Sequence, residues 1–105
     1  FTNKHFYLVK NTTCKEYNYH SLVLVLKQKK YDNFLEYLKK YKIYAFIGYI
    51  PLHISKYGKR FLPKKKKLIN LDKIFNKIVR LPMHSNLNKD DIMFVSNKIK
   101  SFFKI

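Results

Sequence analysis

The chain is short of the residues that build several common sites. It has two glycines, Gly48 and Gly58, and so cannot form either common Gly-rich phosphate loop. It has one cysteine, Cys14, which excludes an intrachain disulfide and fits a reducing compartment. Six acidic residues are scattered along it and nominate no carboxylate pair. His5, His20, His53 and His84 show none of the spacings of a metal site. No Ser-His-Asp set is favoured by position. No apolar run nears the roughly 20 residues of a membrane span. Phe1 to Lys10 lacks the pattern of a signal peptide. These absences lead us to expect a cytoplasmic chain without a membrane partner or a complete catalytic apparatus. The first residue is phenylalanine, which reads as a piece of something longer.

Arginine is scarce too, and this tempers the net charge of +17. Such a charge ordinarily points to nucleic acid. Here the excess is lysine, with only Arg60 and Arg80 able to make bidentate contacts. Lysine, Asn, Ile, Tyr and Phe share A/T-rich codons, so composition alone would raise the charge. The remaining positive signal is a free-standing basic module in which Tyr7, Tyr17 and Tyr57 stack on bases.

Apolar residues make up 47% of 105 positions, enough for one core and one domain, residues 1–105. Phe6 to Val9 reads as a short strand or lead-in, Asn11 to Asn18 as a turn, and Leu22 to Leu26 as a strand covered on both faces. Tyr31, Phe34, Leu35 and Leu38 give the stretch Tyr31 to Lys42 one apolar helical face. Ile43 to Tyr49 reads as a buried strand ended by Pro51. Ser55 to Lys67 is loop-like, and its run Lys64 to Lys67 is either a solvated loop or an anion-attracting rim. Asn70 is placed as the cap of the next helix, with Asp72 in its first turn and Leu71, Ile74, Phe75 and Ile78 on its apolar face. Val79 to Leu81 is a strand ended by Pro82. Asn88 caps the last helix, with Asp91 in the capping-box position and Leu87 and Ile92 as a staple. Its core face is Ile92, Val95, Ile99, Phe102 and Phe103. The expected fold class is α/β (α+β), a small sandwich of about three strands with helices on the sheet.

The stretch Gly48-Tyr49-Ile50-Pro51-Leu52-His53 stands out, because an apolar run ends there in proline and then a titratable side chain. Tyr49-Ile50-Pro51-Leu52-His53, then Leu81-Pro82-Met83, then Leu87-Asn88-Lys89-Asp90-Asp91-Ile92, resemble the C-terminal part of the DegT/StrS nucleotide-sugar aminotransferases. Asn18 to Leu22 and Phe34 to Ile43 resemble earlier segments of the same domain, so the likeness runs from about Tyr17 to Phe103. Asn88 stands where that family usually has Ser or Thr, and the lysine-rich loop also departs from its pattern. The stretch is most similar to that of dTDP-4-amino-4,6-dideoxygalactose transaminases.

The resemblance implies the small C-terminal domain of a fold type I aminotransferase that uses pyridoxal 5'-phosphate (PLP). It implies glutamate as amino donor, a 4-oxo-6-deoxy nucleotide sugar as substrate and a homodimer when complete. The Schiff-base lysine and cofactor contacts would then lie in a large domain outside this chain, leaving the chain inactive alone. Tyr49 and His53 would face the sugar nucleotide. Lys56, Lys59 and Arg60 would attract its diphosphate.

Overall fold

The computed structural model describes residues 3–9, 20–28, 31–61 and 68–105. Cys14, Tyr17, the turn from Asn11 to Asn18 and the run Lys64 to Lys67 lie outside these residues. A three-stranded antiparallel sheet carries the helices. Its strands are β1 (Phe6–Leu8), β2 (Leu22–Leu26) and β3 (Ile78–Leu81), in that spatial order. Phe6 faces Leu26 across the first pair, and Leu24 faces Val79 across the second. The α+β class expected from the sequence is therefore the one observed.

The central strand β2 buries Leu24, Val25 and Leu26 in succession, as a strand without a solvent face should. Helix α1 (Asp32–Lys40) places Phe34 and Leu38 against the Leu24 side, and both are fully buried. Helix α3 (Lys89–Phe103) adds Ile99 and Phe103. The ring of Phe34 lies 5.0 Å from Phe102 and 5.3 Å from Phe103, the tilted spacing aromatic pairs prefer. Ile78 to Leu81 alternates half-buried and buried residues, so Val79 and Leu81 reach the core.

The helix ends follow local chemistry. Asn88 accepts from the Asp91 N–H at 2.9 Å, and Asp91 accepts from the Asn88 N–H at 3.0 Å, closing the expected capping box. At the end of α1 the Lys42 N–H donates to the Lys39 carbonyl and the Ile43 N–H to the Leu38 carbonyl. This is a Schellman closure, and it puts Lys42 at φ 59°, a left-handed conformation suited to glycine. Lys104 does the same at φ 56° after α3.

Three expectations are corrected. Ile43 to Tyr49 is not a buried strand, since among the described residues its backbone pairs with the sheet only at a single Phe46–Arg80 bridge. Ile43 is buried, but Tyr44, Phe46, Ile47, Tyr49 and Ile50 are exposed, so apolar content alone did not bring the segment inside. Helix α2 (Ile69–Ile74) begins earlier than Asn70, after Leu68, and has no side-chain cap. It then tightens into a 3₁₀ turn over Phe75–Lys77, and Ile78 belongs to β3 instead of its apolar face. On α3, Ile92 is 55% exposed and leaves the core face to Val95, Ile99, Phe102 and Phe103.

Candidate functional site

Past the Phe46–Arg80 bridge the chain runs along the outside of the sheet. Two backbone bonds join Phe46 to Arg80 and hold this segment beside β3. The Arg80 guanidinium lies over the Tyr49 ring, 5.6 Å from its centroid, a cation–π contact that steadies an otherwise open aromatic. Tyr49 is 91% exposed. The Arg80 Nε is buried and donates to no group among the described residues.

Pro51 then starts a 3₁₀ turn, Leu52–Ile54, and a second follows at Gly58–Arg60. Ser55 links the two. Its hydroxyl donates to the Leu52 carbonyl at 2.8 Å and accepts from the Gly58 N–H at 2.9 Å. Gly58 sits so close to the Leu52 carbonyl that a Cβ would collide with it. Leu52 points outward and is 80% exposed.

His53 points inward, and its side chain is 8% exposed. Its Nε2 lies 2.6 Å from Asp72 Oδ1 on α2, and its Nδ1 is buried without a partner among the described residues. Lys56, Lys59 and Arg60 are exposed on the following turns, with Arg60 packed 5.9 Å from the centroid of the Tyr57 ring. The five residues singled out by sequence therefore occupy one loop, in two roles: Tyr49 and the cations stand outward, while His53 is fastened beneath.

The sequence reading missed two members of this site. In the sequence Arg80 stands out only as a strand residue and one of two arginines, and Asp72 only as a helix-start residue. A signal for Asp72 did exist: it is the single acid between Glu36 and Asp90. A lone acid among many lysines is a natural partner for a neighbouring histidine.

The other histidines stand elsewhere. His5 stacks on Phe103 at 5.3 Å, and His20 lies just before β2. His84 lines two grooves beside α3, of about 500 and 620 Å³. The larger is mainly apolar, with Leu22, Leu81, Met83 and Ile99 in its walls, and neither groove includes Tyr49 or His53. Among the described residues no three His, Cys, Asp or Glu side chains cluster for a metal, and no helix is long and apolar enough to cross a membrane.

The described residues bury no charged side chain. They hold no enclosed lysine of the kind a Schiff base with PLP needs. They do not by themselves fit that cofactor, and no chemical step through it is assigned to them.

Residues 3–100 match the DegT/DnrJ/EryC1/StrS aminotransferase family. Over 68 residues the chain is 34% identical to the uncharacterised protein MJ1066 of Methanocaldococcus jannaschii. The alignment covers 64% of this chain and 18% of that protein, so the chain spans less than a fifth of the relative's length.

Proposed function

The chain belongs to the DegT/DnrJ/EryC1/StrS aminotransferase family, a PLP-dependent family. From that premise we propose that it is the C-terminal domain of a PLP-dependent nucleotide-sugar aminotransferase. The substrate is a 4-oxo-6-deoxy nucleotide sugar, as for the dTDP-4-amino-4,6-dideoxygalactose transaminases, and glutamate is the amino donor. The product is an amino sugar nucleotide for cell-surface polysaccharide, made in the cytoplasm by a homodimer. The domain is inactive alone, because cofactor and Schiff-base lysine belong to the part of the protein beyond this chain.

One observation carries this reading. The segment from Tyr44 to Leu52 is apolar and aromatic yet open, with six large side chains exposed in sequence: Tyr44, Phe46, Ile47, Tyr49, Ile50 and Leu52. A row of this kind is costly to leave in water and ordinarily marks a surface that something covers. Here it carries the motif of the family's substrate wall. Tyr49 supplies an aromatic face to the sugar nucleotide, and His53 shapes the floor behind it. Lys56, Lys59 and Arg60 raise the local positive potential and draw the diphosphate toward the wall.

The test is the protein encoded by the complete reading frame. It should transfer the amino group of glutamate to a 4-oxo-6-deoxy nucleotide sugar. His53→Ala should raise KM for the sugar nucleotide more than it lowers kcat. The 105-residue chain should develop no bound-PLP absorbance. A reading frame that continues upstream of Phe1 into an unrelated domain would refute the proposal. So would loss of PLP binding in His53→Ala, since that residue is assigned to substrate alone.

A further inference from the structure

His53 and Asp72 are 19 residues apart in sequence and belong to different elements, yet they meet at 2.6 Å. We propose that Asp72 is the positioning residue of the Tyr49–His53 wall. Its carboxylate accepts the Nε2 proton of His53, fixes the imidazole tautomer, and clasps the 51–61 loop to α2. The inference rests on the reading of that loop as a substrate wall, and it adds a residue that the family motif does not contain.

The need for a fastener follows from the rest of the loop. Apolar packing holds little of the wall, because Leu52, Tyr57 and Phe61 are exposed and Pro51 and Ile54 are only half-buried. Its internal bonds are local: Ser55 to Leu52, Gly58 to Ser55, and the turns closed on Pro51 and Leu52. Those bonds shape the loop but attach it to nothing else. Between residues 51 and 61, the described hydrogen bonds that leave the loop reduce to His53–Asp72. A carboxylate accepting from an imidazole N–H is a charge-assisted bond, stronger than the neutral ones around it.

The bond also decides which nitrogen carries the proton. With Nε2–H given to Asp72, the neutral ring leaves Nδ1 as an acceptor, and Nδ1 is the atom that is buried and has no partner among the described residues. The ring is largely covered by the turn with its side chain 8% exposed, while Asp72 is 45% exposed at the rim. Asp72 can therefore be replaced without opening a hole in the core.

The experiment uses the 105-residue chain with ¹⁵N-labelled histidine and no ligand. Long-range ¹H–¹⁵N spectra above the histidine titration should show neutral His53 protonated on Nε2. In D72A that preference should be lost, and amide exchange at Ile54, Ser55 and Gly58 should quicken about tenfold. The β2–β3 ladder amides should keep their protection. Should D72A also lose ladder protection, D72L decides by the same two readouts, since it fills the space of the carboxylate, does not lower helix propensity and removes the acceptor. A wild-type His53 protonated on Nδ1 overturns the proposal without any variant. So does a folded variant whose tautomer and loop exchange match wild type. Neither readout involves a sugar nucleotide or PLP, so the clasp and the aminotransferase reading can fail separately.

Discussion

The two halves of this domain spend similar residues in opposite ways. In the sheet and its two long helices, Phe34, Leu24, Leu26, Leu38 and Val79 are fully buried and the rings of Phe34, Phe102 and Phe103 interlock. In the 44–61 segment, Tyr49 and Leu52 are almost wholly exposed, and polar bonds from Ser55 and His53 hold the chain in place. The first half makes the fold; the second is displayed by it. Stability and site should therefore respond to different mutations.

The comparison breaks most sharply at Phe34. Phe34→Ala removes a fully buried ring touching Phe102 and Phe103. It should cost about 4 kcal/mol and unfold much of the population, measured by urea titration followed by circular dichroism. Loss of less than about 1 kcal/mol would mean the core is not packed as described. Asn88→Ala deletes the side-chain half of the capping box, leaving the backbone N–H of position 88 to donate to Asp91, and should cost about 1 kcal/mol in the same assay.

Lys42→Gly acts in the other direction. The left-handed φ of 59° strains a lysine, and glycine relieves it. The gain should be about 0.5 kcal/mol once the greater freedom of glycine in the unfolded chain is subtracted. A loss of stability would show that the Schellman turn does not form there. Leu52→Ser should have the smallest effect, within about 0.5 kcal/mol, because the side chain already stands in water. A cost near that of Phe34→Ala would erase the distinction between the two halves.

Much of the core half was legible. The i, i+3, i+4, i+7 pattern from Tyr31 to Leu38 set α1 and its buried face, and the continuous run Leu22 to Leu26 set the central strand. Asn88 and Asp91 set the start of α3 to the residue, because a capping box is a contact within four positions. The lysine at position 42 adopts a left-handed backbone that suits glycine, so the turn forms with a less suited residue.

The wall was legible only in part. Local sequence marked Tyr49, Pro51 and His53 as a strand end carrying functional side chains. It could not say that Ile43 to Tyr49 would stay outside the sheet, because an apolar run reads alike whether this chain or something beyond it provides the cover. The positions of Arg80 over Tyr49 and of Asp72 against His53 were not available from spacing, since each pair joins separate elements.

By itself, the sequence determined the elements whose causes are local: the helix periodicity, the capping box, the apolar central strand, the turn at Gly58. It also determined the family, through the order of short motifs along the chain. The tertiary structure decided which apolar residues the core would accept. One side of the sheet is filled by α1 and α3, and the 44–52 segment has a single backbone bridge to β3. It also decided that the histidine of the wall would be tied to Asp72. Burial and long-range pairing depend on what the whole chain brings together, and no window of residues contains that information.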